Sequence, residues 1–300
     1  MPDLHDHLIR AIDREANLRF AVAVTTEVVA EGATRHQLSP AATCAVGRAL
    51  TSGLLLATLT KSGERVTLQL IGDGPIGAIT VDATDSGNVR GYAQHPQAAP
   101  DGGRCDVAET LGRHGVVNVL RDLGLRELYQ GQVALVTGEV DEDVEAYLRA
   151  SEQVPSALGC EVLLGADGRV HAAGGVLVQA LPGGDPISVR EVQHALRTGK
   201  LRELLERGER SARVIAEQIY GAGPLEVIGE ERHVRFQCKC SQERIGDMLA
   251  LLGTVDLDEM IAENKPAEVT CNFCNTRYRI ERAELERIRQ HAAGGPRQSN

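Results

Sequence analysis

Four of the seven cysteines lie in two close pairs late in the chain, Cys238-Lys239-Cys240 and Cys271-Asn272-Phe273-Cys274. Thirty residues separate Cys240 from Cys271. Zinc takes four ligands in a tetrahedron, and two short-spaced thiolate pairs meet that demand with little chain. The C-x-x-C half is common in zinc sites and the C-x-C half is rarer, so the combination is more specific than a lone pair. An iron–sulfur cluster fits less well, because ferredoxin spacing differs. Buried, unliganded cysteines are the remaining reading. His233, five residues before Cys238, is a rival ligand that four thiolates leave unneeded. Cys44, Cys105 and Cys160 each stand alone among small or apolar residues and read as packing residues.

The surroundings of the pairs bear on their reactivity. Ser241 can cap a helix that begins at Gln242 and runs through ERIGDMLALLG. Cys238 and Cys240 would then stand at the positive end of that helix, which favours thiolate. Lys239, Arg277 and Arg279 add positive charge nearby. The segment 232–290 is near the lower size limit for a self-sufficient core. A structural zinc contributes on the order of 10–16 kcal/mol of apparent folding free energy, against about 5–15 kcal/mol for a whole domain. Metal loss is therefore expected to unfold this segment, and oxidation of the thiolates removes the ligands, so that metal occupancy reports redox state.

The elements that must position these residues are legible in outline. LRFAVAVTTEVV (18–29) is β-branched and partly alternating and predicts a strand. Ser39-Pro40 reads as an N-cap and first helical position, followed by a buried helix to about Lys61. Strands are expected at 65–71, 77–83, 115–120 and 130–137, with turn chemistry at Asp85-Ser86-Gly87-Asn88. Asp141 opens a helix with acids in its first turn. Ala166-Asp167-Gly168 joins strands 158–165 and 169–180 as a hairpin. Gly72-Asp73-Gly74-Pro75 lacks any phosphate-loop pattern and reads as a turn.

The expected fold class is α+β: a large N-terminal domain of mainly antiparallel sheet with helices (1–181), a helical linker region (182–231), a small C-terminal zinc-binding domain (232–290) and a disordered tail (291–300). LPGGDP at 181–186 marks the first boundary. Residues 188–220 are helical in pattern but highly charged, with two glycines and no long apolar face. They would be marginal alone and need a surface to dock on.

Composition narrows the function classes. A net charge of -10 opposes binding to phosphate backbones. Arg277, Arg279, Arg282, Arg287 and Arg289 interleave with Glu281, Glu284 and Glu286, the pattern of a solvated helix face. The first residues have no apolar targeting core, and the longest apolar run, near Leu54–Leu59, is too short to span a bilayer. A soluble cytoplasmic protein with no nucleic-acid or membrane partner is expected. No Ser–His–Asp set can be argued from spacing, so an enzyme is not expected.

FQCKCSQERIGDMLALLG, VTCNFCNTRYRI and the Gly47–Pro96 stretch, GRALTSGLLLATLTKSGERVTLQLIGDGPIGAITVDATDSGNVRGYAQHP, resemble the redox-regulated 33 kDa chaperonin family of bacterial heat-shock holdases. The likeness covers most of the chain and is weakest over 188–220. It implies an ATP-independent chaperone that is inactive when reduced, with one zinc ion on Cys238, Cys240, Cys271 and Cys274. On oxidation it implies disulfides Cys238–Cys240 and Cys271–Cys274, release of the metal, loss of order in the middle helices, homodimerisation and binding of unfolding client proteins. A zinc-ribbon nucleic-acid binder and a thiol–disulfide oxidoreductase are the rivals. The first wants a basic, aromatic face, for which only Phe273 and Tyr278 are on offer. The second wants a thioredoxin-like βαβ frame around Cys271–Cys274, and none is visible.

Overall fold

Two turn and cap signals fix the start of the longest helix. Ser39 accepts a hydrogen bond from the Ala42 amide at 3.1 Å, and Pro40 fills the first helical position. The computed structural model describes residues 5–61, 63–100, 105–122 and 129–293. They form two compact units, Met1–Gln237 and Cys238–Asn300.

In the first unit, strands β1 (His7–Asp13) and β2 (Leu18–Val24) are followed by α1 (Thr26–His36) and α2 (Pro40–Ala57). Then come β3 (Arg65–Gly72), β4 (Ala78–Thr84), β5 (Asn88–Ala93), the short α3 (Val107–Leu111), β6 (Gly115–Asp122) and β7 (Tyr129–Ala134). Helix α4 (Val140–Tyr147) is continued by a π turn (Leu148–Glu152) and leads to β8 (Ser156–Leu164) and β9 (Val170–Ala180). Three helices follow, α5 (Pro186–Arg197), α6 (Lys200–Glu206) and α7 (Ala212–Tyr220), and then three two-residue strands, β10 (Glu226–Val227), β11 (Arg232–His233) and β12 (Arg235–Phe236).

The strands make two six-stranded sheets. The first has the order β10-β1-β2-β9-β8, with β11 also on β1, and the second the order β12-β5-β4-β3-β6-β7. Every pairing is antiparallel except β12 with β5. The protein is thus α+β with mainly antiparallel sheet, as the alternating patterns implied. Helix α2 packs on β8 and β9 of the first sheet and on β4 and β5 of the second. It is long and apolar enough to cross a membrane, but 89% of it is buried inside the unit, which makes it a core helix. Its single charged residue, Arg48, pairs with Glu139, Asp141 and Glu161 at 2.8, 3.2 and 3.3 Å, so the buried cation is compensated.

One expected strand is shorter than the sequence suggests. Residues 18–29 do not run on as β: the strand ends at Val24 and α1 starts at Thr26. Thr25 makes the break, donating its amide to Ala173 O at 2.9 Å and sharing a 2.8 Å hydroxyl contact with Thr51. Val28, Val29, Gly32 and His36 then face inward at helical spacing.

The middle helices do carry an apolar face, contrary to the expectation from 188–220. Val189, Val192, Leu201, Leu204, Leu205, Ile215 and Ile219 are buried against Ile9, Phe20, Val22, Val176 and Val178 of the first sheet. Gly199 and Gly208, at φ 84° and 85°, break the segment into three helices, so that each brings its own short apolar stripe to the sheet.

The second unit contains α8 (Gln242–Ala250), α9 (Thr254–Ala262), the hairpin strands β13 (Ala267–Thr270) and β14 (Arg277–Ile280), and α10 (Arg282–Ala293). Its core is Ile245, Leu249, Leu257, Ile280 and Leu285. Arg277 and Arg279 lie on β14, not on the helix that the charge pattern suggested; α10 begins at Arg282, with Arg282–Glu286 and Arg289–Asp258 ion pairs at its surface. Helix α10 reaches Ala293, and of the expected tail residues 294–300 lie outside the described residues.

Candidate metal centre

The cysteine pairs enter the second unit on two different devices. Cys238 and Cys240 flank Lys239 just ahead of α8. Ser241 caps that helix by accepting from the Arg244 amide at 3.2 Å, and Arg244 Nη1 returns to donate to Lys239 O at 3.0 Å. The C-x-C segment is thereby fixed from both sides. Cys271 and Cys274 sit in the tight connection between β13 and β14. The Asn275 amide donates to Cys271 O at 2.8 Å and the Cys271 amide to Thr276 O at 2.9 Å. Asn275 takes the left-handed conformation that this turn requires, φ 56°.

These devices bring the four sulfurs within 4.8 Å of one another. Cys238 Sγ is 3.8 Å from Cys271 Sγ, and Cys240 Sγ is 3.3 Å from Cys274 Sγ. A tetrahedron of thiolates at the usual zinc–sulfur distance of about 2.3 Å has edges of about 3.8 Å, so the cluster can hold one such ion with small adjustments. His233, the rival ligand, belongs to β11 of the first unit and stacks on His5.

Two hydroxyls lie against the cluster. Tyr278 on β14 donates to Cys240 Sγ at 3.0 Å, and Thr276 Oγ1 is 3.2 Å from Cys274 Sγ. The sequence offered Tyr278 only as an aromatic. Its role follows from the β13–β14 register, which pairs it with Val269.

The thiols do not share one acidity. Burial pushes the Cys271 thiol up to about 12 and also raises Cys240. For Cys274 burial acts in the same upward direction. The Thr276 hydroxyl and amide, with the Cys240 and Cys271 sulfurs, outweigh it and pull this thiol down to about 7. At Cys240 burial acts against the pull of the α8 terminus, and the thiol that its neighbours lower is Cys274. Arg279 pairs with Glu281 at 2.9 Å and so has its own partner. A thiophilic ion draws all four groups to thiolate and releases protons as it binds.

Outside the cluster, the three remaining cysteines do not behave alike. Cys160 is buried and free on β8, with Ser52 Oγ at 3.4 Å. Cys44 and Cys105 are not isolated packing residues: they are joined as a disulfide, 61 positions apart in sequence. Such a separation leaves no local spacing signal to read.

Comparison with known proteins gives one consistent picture. Residues 6–281 match the family model described as Hsp33 protein. The 33 kDa chaperonin of Geobacillus kaustophilus is 39% identical over 291 residues, covering 96% of this chain and 98% of that protein. The 33 kDa chaperonin of Bacillus subtilis is 38% identical over 288 residues, covering 95% and 99%. The crystal structure of a 33 kDa chaperonin from Thermotoga maritima superposes with a TM-score of 0.84 at 33% identity, covering 97% of this chain and all of that one.

Proposed function

This chain belongs to the Hsp33 family of chaperones, and from that premise we propose that it is a redox-regulated, ATP-independent holdase of the cytoplasm rather than an enzyme. Cys238, Cys240, Cys271 and Cys274 hold one zinc ion in the reduced, inactive form. The observation that carries this reading is the four-sulfur cluster within 4.8 Å, set in a unit whose own core is five buried side chains. When bound, the ion cross-links α8 to the β13–β14 turn.

Activation is oxidation of the ligands. One hydrogen peroxide takes two electrons from each cysteine pair, giving the disulfides Cys238–Cys240 and Cys271–Cys274 and two waters per peroxide. A disulfide sulfur is no longer a thiolate ligand, so the cross-link is lost and the second unit unfolds. Functionally the chain then divides into a core, residues 1–181, a middle region, 182–231, and a switch, 232–290, whose first strands, β11 and β12, pair with β1 and β5 in the first unit. The middle region is the bistable element. Its three short helices depend on docking, and their release bares two apolar surfaces at once: the Leu201–Leu205 and Ile215–Ile219 stripes and the Phe20–Val22–Val176 face of the sheet. Such surfaces suit unfolding client proteins and a second activated copy.

The test compares zinc-loaded, reduced protein with peroxide-treated protein at elevated temperature. Light scattering from an aggregating client is expected to fall only with the oxidised form, and elemental analysis is expected to find one zinc per chain before oxidation and none after. Equal suppression by both forms would remove the redox switch.

A further inference from the structure

We infer that Cys44 and Cys105 are a second, metal-free redox couple, whose oxidation staples the first unit while the same oxidant loosens the second. This goes beyond the proposed function and does not depend on zinc. The two residues come from different elements. Cys44 is in the first turns of α2 and is 1% exposed, whereas Cys105 is exposed, immediately before Asp106, the N-cap of α3. Their Cα atoms are 6.1 Å apart, inside the range that a disulfide spans without backbone movement. The bond ties α2, the helix packed between the two sheets, to the segment that returns from β5 to β6.

Access is built for one end only. Cys105 opens on a cavity of about 450 Å³ that is also lined by Arg48, His171, Arg202 and Glu206, which is ample for hydrogen peroxide. The accessible thiolate of Cys105 attacks the peroxide, becoming a sulfenic acid as the O–O bond breaks and hydroxide leaves. The Cys44 thiol then attacks that sulfur, the S–S bond forms, and the sulfenic oxygen departs as water. Two thiols and one peroxide give one disulfide and two waters. Cys160 takes no part: it is buried on β8.

The closed loop includes β3, β4 and β5, three adjacent strands of the second sheet. Cross-linking a loop of about 60 residues removes much denatured-state entropy. A chaperone that works under oxidants needs one unit to stay folded while another opens, and this bond acts on the unit that stays.

The experiment uses the full-length chain in which Cys238, Cys240, Cys271 and Cys274 are all replaced by Ser, so that no switch chemistry contributes. Reduced protein is treated with hydrogen peroxide, alkylated and digested without reductant. A Cys44–Cys105 cross-linked peptide is expected, absent from a companion chain that also carries Cys105→Ser. Oxidation is expected to raise the melting temperature of the first unit by on the order of 10 °C, and the Cys105→Ser companion to show no rise. Recovery of Cys44 and Cys105 as separately alkylated peptides after peroxide overturns the inference. So does an equal rise in the companion.

Discussion

Asp6 is 1% exposed and accepts a hydrogen bond from the Val28 amide at 2.8 Å. Burial raises its carboxyl from 3.8 to about 6, against backbone hydrogen bonds that act the other way. The folded state therefore prefers the neutral acid. Its contribution is complete below pH 3.8 and is lost as the pH rises through 6. Denaturant unfolding of the first unit is expected to lose about 2–3 kcal/mol from this group between pH 4 and 7, and Asp6→Asn, which keeps an acceptor for Val28, to flatten that slope. An unchanged slope in the variant would assign the pH dependence elsewhere. At the candidate metal centre, Tyr278→Phe deletes the donor to Cys240 while keeping the ring in the small core. Zinc affinity measured by chelator competition is expected to fall by roughly 10–100-fold, the usual cost of removing a partner of a metal ligand, with little change in helix content. The four cysteines were legible because thiolate spacing is local. The Tyr278 hydroxyl was not, because it depends on strand register, and the Cys44–Cys105 pair was not, because the fold alone brings together residues 61 positions apart.

Among the middle helices, α6 is the shortest, at seven residues, and so depends most on docking. It buries Leu201, Leu204 and Leu205 on the first sheet. Leu205→Ala leaves a cavity and is expected to destabilise this docking by about 2–5 kcal/mol. Hydrogen exchange is expected to speed up over α5–α7 before any other part of the first unit, and the reduced variant to suppress client aggregation partially without oxidant. Faster exchange with no gain in suppression would separate the middle helices from client binding. The same elements show where sequence patterning stops. Ser39-Pro40 and the Asp167-Gly168 turn were readable because caps and turns are set by a few adjacent residues. The apolar stripes of α5–α7 were hidden, since Gly199 and Gly208 reset the helical phase and a single 3.6-residue period cannot run through them. Strand β1 was missed because His7 and Arg10 interrupt its apolar run. Strands β10, β11 and β12 have two residues each, and their pairing with β1 and β5 exists only in the folded chain.

At the scale of the whole molecule, the two units differ in what holds them. The first unit has α2 packed on two six-stranded sheets, with a further apolar layer beneath α5–α7. The second spans Cys238–Asn300, and among the described residues its core is five buried apolar side chains: Ile245 and Leu249 from α8, Leu257 from α9, Ile280 from β14 and Leu285 from α10. Below about 70–80 residues a core of this kind supplies only about 3–5 kcal/mol, whereas a structural zinc supplies on the order of 10–16 kcal/mol. Metal removal should therefore not weaken the molecule evenly. Calorimetry of the reduced, zinc-loaded chain is expected to show two transitions. Chelation is expected to abolish the one belonging to residues 238–300 and to leave the other within a few degrees, because no residue of the first unit belongs to the cysteine cluster. Limited proteolysis of the chelated protein is then expected to cut first within α8, α9 and α10, next within the released α5–α7, and to spare the two large sheets. A chelated chain that keeps both transitions would show that Ile245, Leu249, Leu257, Ile280 and Leu285 hold the second unit by themselves, and oxidation of the thiolates would then have no unfolding to trigger.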